Sequence, residues 1–241
     1  MSVKTSTTWN LSADRWMFGV AMLVASALAG CGGGGNAPPT ANYNVAKAWQ
    51  NLLTATRSWV GNGTDSGGTN YELAYAVAPG PVSVFPRTGT SGPRTEVTVT
   101  ININGILQPF FPFLSYGFYN AATFAPFGWQ NVTVPSCSTQ VAGPALPSAA
   151  AIGASGAFYT ETEYEDCAPG SAATGTSVVT WSLESDSGYP LFCSNATNRD
   201  LANAVVGTGS FCFEVATDGT LGSRFRLTAT GEGETLTVRN F

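Results

Sequence analysis

Histidine is absent from all 241 residues. That excludes a Ser-His or Cys-His nucleophile pair, an imidazole general base and any His-ligated metal. Charge is scarce too: Asp, Glu, Lys and Arg make up 10% of the chain, against about 25% in ordinary soluble domains. Lysine ends at Lys47 and no Ser-x-x-Lys spacing leads to it, which removes a further nucleophile design. No two cysteines have Cys-x-x-Cys spacing, so the zinc reading of the cysteines is weak. The net charge of −5 and the lack of any basic run disfavour nucleic acid, whose binding rests on clustered Lys and Arg. Long apolar runs are missing as well. Trp16 to Ala29 is uncharged and mostly apolar but only 14 residues long, whereas a membrane-crossing helix needs about 20. Gly, Thr, Ser and Asn fill the polar positions, a composition common in exported all-β proteins.

What is present begins with that short apolar stretch. Lys4 and Arg15 precede it, giving the n-region and h-region of a secretory signal. It ends in Leu28-Ala29-Gly30-Cys31, which resembles the lipobox of bacterial lipoproteins. The resemblance implies that residues 1–30 are removed and that Cys31 becomes an acylated N-terminus. A single acyl chain binds membranes only marginally, whereas two or more hold stably. Gly32, with no Asp at that position, resembles outer-membrane sorting. The implied location is the bacterial cell envelope, with the membrane as a partner through Cys31.

Removing residues 1–30 leaves eight basic and fourteen acidic residues. Residues 31–42, rich in Gly and Pro, read as a lipidated cysteine and flexible tether. Val45, Ala48, Trp49, Leu52 and Leu53 fall at helical spacing after Asn44, a suitable N-cap, so a short helix is expected there.

Beyond it the sequence predicts an all-β antiparallel sandwich or barrel-like fold. Tyr71, Leu73, Tyr75 and Val77 alternate with other residues, as do Val97, Val99, Ile101 and Ile103, and later Val179, Trp181 and Leu183. Asn104-Gly105 and Asp218-Gly219 are hairpin signals. A weak echo, Ser58-Trp59 before Asp65-Ser66-Gly67 and Thr180-Trp181 before Asp186-Ser187-Gly188, suggests two β units meeting near Pro135: residues 43–134 and 135–241. Four cysteines follow Cys31. An even number in an exported chain reads as two disulfides with three possible connectivities. Cys193 and Cys212 each sit in a short apolar run that two neighbouring strands could present to each other, so Cys193–Cys212 with Cys137–Cys167 is the preferred pairing.

Ala145-Leu146-Pro147, Gly153-Ala154-Ser155-Gly156, Thr180-Trp181-Ser182-Leu183-Glu184 and Phe211-Cys212-Phe213, in this order, resemble a group of uncharacterised proteobacterial β-rich lipoproteins. The resemblance covers most of residues 145–241. It implies a fold and no activity.

Three constellations invite a functional reading. Residues 110–129 are dense in aromatics, which either form a binding face or fill the core and cover the open end of a sandwich. Phe110, Phe111, Phe113, Tyr116 and Tyr119 are the candidate interaction residues, with Phe111 and Phe113 expected exposed and Trp129 and Phe118 assigned to the core. Glu161, Glu163, Glu165 and Asp166 form the densest charge cluster. On a strand the three glutamates share one face, either as a carboxylate pair for glycan hydrolysis or calcium, or as a solvated face. The two Asp-Ser-Gly sequences invite comparison with aspartic proteases, but polar residues precede both and ordinary turn chemistry accounts for them. The sequence therefore points to a non-catalytic binding or scaffolding module of the cell envelope, without cofactor or metal. Its partner would be an envelope protein or glycan. The alternatives are a carboxylate-based glycan hydrolase and a surface adhesin or carbohydrate binder.

Overall fold

The computed structural model describes residues 41–109 and 111–241. The expected signal segment, Cys31, most of the expected tether and Phe110 lie outside them. The chain opens with α1 (Val45–Thr54) and continues as β1 (Arg57–Asp65), β2 (Asn70–Val84), β3 (Ser91–Ile103), β4 (Ile106–Leu107), β5 (Phe113–Tyr119) and β6 (Pro126–Asn131). Then come β7 (Ser136–Ala142), β8 (Ser155–Tyr164), β9 (Ala173–Asp186), β10 (Tyr189–Asp200), β11 (Val205–Val215), β12 (Leu221–Gly231) and β13 (Glu234–Arg239).

Each strand pairs antiparallel with its sequence neighbour, except that the short β4 folds back on β3 and β5 takes the place beside β3. β1 pairs with β2 on one side and β13 on the other, so twelve strands close into a barrel with β4 as an extra strand. Closure leaves no edge within the barrel wall to template aggregation. The boundary expected near Pro135 is the β6–β7 turn of this single barrel: Gly128 to Asn131 pair directly with Thr139 to Ser136. The two expected units are therefore one. The echo that suggested them joins strands running in opposite directions.

Inside and outside follow from the pleat, because alternate side chains take opposite faces. Leu73 and Val77, Val97 and Val99, Val179 and Leu183, and Leu236 and Val238 all point inward and are buried. Their outward neighbours include Thr98, Thr100, Thr176, Thr180, Thr235 and Thr237. A membrane-crossing barrel needs the reverse, an apolar outer band around a polar lumen. No helix among the described residues is long and apolar enough to cross a membrane.

An aromatic cluster fills the barrel toward one end. Trp59 lies 4.6 Å from Phe213, Phe213 lies 5.7 Å from Phe225, and Tyr75 stacks on Phe225 at 6.0 Å. The helix caps that same end. Val45, Ala48, Leu52 and Leu53 are buried, and the Trp49 ring packs edge-on against Phe158 at 4.8 Å. Polar ties fix the cap in place. The Ala46 N–H donates to the Pro147 carbonyl, the Asn51 amide to the Gly219 carbonyl and the Thr95 hydroxyl to the Leu53 carbonyl. Asn44 is the N-cap, its side-chain oxygen accepting the Lys47 N–H at 2.9 Å. Asn44→Ala is expected to lower stability by about 1 kcal/mol, the usual cost of losing such a cap, as read by urea unfolding.

Both disulfides lie on the outer surface. Cys193 and Cys212 face each other across β10 and β11, and Cys137 on β7 is joined to Cys167 in the β8–β9 connection. The second bridge borders a satellite cluster outside the barrel, where Phe85, Phe118 and Phe127 pack together and Phe85 covers Gly128.

Candidate luminal binding site

The half of the barrel away from the helix has a different inner surface. Strand register carries polar residues across six adjacent strands, β5 to β10. Ser115 stands beside Asn131, Asn131 beside Ser136, Ser138 beside Glu163, Gln140 beside Glu161, Glu161 beside Ser177, and Ser177 beside Asn198. Each occupies the inward parity of its strand, shared with Phe113, Trp129, Tyr159, Val179 and Ala196. The opposite wall at this level carries Leu73, Val99, Ile101, Ala229 and Leu236 instead. The lumen is amphipathic.

Hydrogen bonds hold the belt in shape. Ser138 and Gln140 both donate to one oxygen of Glu161, at 2.8 and 2.9 Å. The Ser177 hydroxyl lies 2.9 Å from Glu163 Oε1 and 2.8 Å from Asn198 Oδ1. Trp129 donates its indole N–H to Asn131, whose amide donates to Ser136. The second oxygen of each glutamate, Glu161 Oε1 and Glu163 Oε2, has no hydrogen bond to the described residues. Ser115 is 1% exposed and its hydroxyl has no partner among them. An unpaired buried hydroxyl costs roughly 1–3 kcal/mol.

Electrostatics follow the geometry. Burial pushes Glu161 above the ordinary carboxylate range, and its Ser138 and Gln140 donors only partly oppose this. Burial also carries Glu163 up to about 7, with Ser177 pulling it down and the neighbouring Glu161 adding to the rise. Burial raises Tyr159 well above its usual value. No Lys or Arg among the described residues points into this half of the lumen: Arg94, Arg199, Arg226 and Arg239 take outward parity, and Arg57 begins β1 at the helix end.

Several inward-facing side chains nevertheless remain partly accessible: Tyr75, Ile101, Tyr159, Glu161, Ala196 and Phe211. A residue on the inner face of a closed barrel is accessible only if the interior is hollow beside it. These residues, several of which pack against the core, mark the part of the interior that is not fully enclosed.

The sequence-derived candidates fare differently. Phe113 and Tyr119 are buried at 1% and 4% exposure and belong to the interior, which corrects their assignment to an interaction face. Two neighbours pack around them: Phe113 stands beside Val99 on β3, and Tyr119 stacks near Phe124. Phe111 is half-buried against the core, and Tyr116 is half-buried beneath the Arg94 guanidinium, 3.9 Å from its ring. Trp129 and Phe118 do pack inside clusters. Of the acidic row, Glu161 and Glu163 share the inner face, so they are not a solvated outer surface, while Glu165 and Asp166 fall beyond β8 and are exposed.

Asp65 and Asp186 do not meet. Asp65 closes β1 at the end away from the helix. Burial alone would raise it, but the Thr69 N–H and the Tyr71 hydroxyl it accepts hold it below its ordinary value. Asp186 closes β9 at the helix end and faces outward, kept low by hydrogen bonding to Arg226 at 2.8 Å. Arg226 also pairs with Glu184 over the Cys193–Cys212 bridge. Glu184 and the two sulfurs lie within 4.8 Å of one another, but the disulfide already engages both sulfurs, which makes them unfit as metal ligands. Ser155 is exposed at the start of β8 and stands beside Ser182 on β9, with no hydrogen bond from its hydroxyl to a base among the described residues.

The luminal belt was hidden in the sequence because Ser, Asn and Gln at alternate positions look the same on a solvated face. Only the adjacent Val179-x-Trp181-x-Leu183 series marks which parity of the neighbouring strands points inward. No protein-family model matches the chain, and no curated protein or solved structure does so either.

Proposed function

We propose that the protein is a lipid-anchored, non-catalytic binding module of the bacterial cell envelope, with its ligand seat inside the barrel. The observation that carries this reading is the amphipathic, incompletely enclosed lumen with its organised polar wall. Burying two carboxylates and their donors costs folding energy that a purely apolar interior would avoid. A binding role supplies a reason for retaining them.

The path of the chain agrees with an anchor. Tyr43 is bonded to Ala150 at the helix-capped end, where the described chain begins, and an anchor at Cys31 with residues 32–42 as its tether is compatible with that start. The partner classes narrow to an envelope glycan or other small polar molecule rather than a flat protein surface built on residues 110–129.

Hydrolysis fits less well. Glycosidase carboxylates flank the scissile bond. Glu161 and Glu163 stand two positions apart on one strand and approach any occupant from the same side. An adhesin face on the aromatic segment loses Phe113 and Tyr119 to the core.

The anchor is tested by Cys31→Ser. The variant should accumulate as unprocessed precursor and lose acyl labelling in cells. A normally matured product that stays soluble without detergent would end the lipoprotein reading.

A further inference from the structure

We infer that the luminal seat takes a small polar amine, its ammonium group held between Glu161 and Glu163 and its remaining polar groups along the Ser and Asn wall. The inference rests on the binding reading above and names the chemistry of the ligand.

Three independent observations point the same way. The first is charge. Two carboxylates share one wall, and no Lys or Arg among the described residues reaches that half of the lumen. A cationic occupant would favour the ionised form of both carboxyls, which burial alone disfavours, and hydrogen bonds to charged groups are about twice as strong as neutral ones.

The second is hydrogen-bond capacity. The protein's donors reach one oxygen of each glutamate: Ser138 and Gln140 engage Glu161 Oε2, and Ser177 engages Glu163 Oε1. Glu161 Oε1 and Glu163 Oε2 are left without a protein donor. An ammonium carries three donors and no acceptor, so it matches a site offering two free acceptors. A neutral hydroxyl has a single donor and can serve only one of them.

The third is Ser115. Its hydroxyl is buried on the same inner wall, in register with Asn131, and has no partner. It leaves one end of the belt with a hydrogen bond that the described residues do not meet and that an occupant could reach only if the surrounding side chains give way. Around these groups the accessible faces of Tyr75, Tyr159 and Phe211 provide an apolar platform for the body of the molecule. Rings in this position also favour a cation over a neutral group.

A divalent metal fits less well. Calcium takes six to eight oxygens and magnesium a near-ideal octahedron, and two glutamates on one strand with serine hydroxyls do not build either. Among the described residues the acidic groups here form no three-carboxylate cluster.

The experiment is a calorimetric titration of the purified, disulfide-intact protein with D-glucosamine and, in parallel, D-glucose, which differs in carrying a hydroxyl where glucosamine has its ammonium. Glucosamine is expected to bind at least about tenfold more tightly than glucose, the scale of one charge-assisted interaction. Glu161→Gln and Glu163→Gln should each remove most of that difference. Ser115→Ala should weaken glucosamine binding while leaving thermal stability unchanged or slightly raised, because a merely structural serine would not move the affinity. Both Gln variants keep the shape of the side chain, and their unfolding curves check that they remain folded.

Equal affinity for the two sugars, lost together in the Ser115 variant, would overturn the ammonium assignment and leave the luminal seat standing. Glucosamine binding that survives all three substitutions would place it elsewhere and overturn the assignment and the seat together. No heat with glucosamine at millimolar concentration would overturn the amine inference. The anchor reading stands or falls separately on acyl labelling of Cys31.

Discussion

Stability should fall as pH rises from about 5 to about 7.5, and Glu163→Gln should remove most of that slope. A carboxyl whose pKa is higher in the folded state than in the unfolded chain binds its proton more tightly when folded. The stabilisation is therefore fully present below the unfolded value near 4.5 and is lost as pH climbs through the folded value of about 7. Each pKa unit corresponds to about 1.4 kcal/mol, so the loss approaches about 3 kcal/mol at its upper end. Partial access of the side chain to the lumen will bring the measured figure below that. Glu161 moves in the same direction and adds to the slope.

The hydrogen-bond count around Ser177 explains why the neutral form suits the folded state. One serine hydroxyl faces two acceptors, Glu163 Oε1 and Asn198 Oδ1, and has a single proton to give. A protonated Glu163 can donate to Ser177, which then donates to Asn198, and all three groups are satisfied. Glutamine at position 163 reproduces that donor at every pH. Urea unfolding at pH 5 and pH 7.5 should show the variant level with the parent at the lower pH and more stable at the higher. Parallel profiles for the two proteins would show that Glu163 does not titrate in this range. The aspartates run the other way: Asp65 and Asp186 are held low, so what they contribute is present above their unfolded value and lost as pH falls through their depressed folded values. Stability should thus peak near pH 5.

Particular residues show how far the sequence could be read. The hairpins were legible because their turns need positive φ and the residues that tolerate it are few. Asn104 and Gly105 adopt φ of 50° and 80°, and Gly219 adopts 85°. The alternating strands were legible for the same reason that they fold, since period two separates two faces. Which face is inner is another matter. Glu161 and Glu163 alternate as plainly as Thr176 and Val178, and the pattern alone does not distinguish a carboxylate in a lumen from one in water. That distinction comes from closure of β1 on β13, a contact between strands more than 170 residues apart in sequence. The helix and its Asn44 cap are local features and were legible.

The aromatic segment resisted reading for a different reason. β5 is covered on both faces. Its inner parity carries Phe113 into the barrel, while its outer parity carries Phe118 into the satellite cluster that Phe85 and the Cys137–Cys167 bridge complete. A strand covered on both sides loses the alternation that would mark it, and reads instead as an exposed or irregular aromatic patch.

Phe113→Ala should therefore destabilise the protein by roughly 3–5 kcal/mol, as large-to-small changes at buried aromatics do. At 1% exposure the ring is fully enclosed, and its removal leaves a cavity against Val99 on the neighbouring strand that a closed barrel has little freedom to collapse. Tyr116→Ala on the same strand should cost far less, about 0.5–1 kcal/mol, because that half-buried ring loses chiefly its contact with the Arg94 guanidinium. Urea unfolding of the two variants beside the parent measures the contrast. An interaction face would reverse it, with Phe113→Ala nearly neutral for stability and damaging for partner capture. The buried geometry predicts instead that any loss of binding in Phe113→Ala tracks the fraction of protein unfolded and vanishes when the folded population is restored at lower temperature.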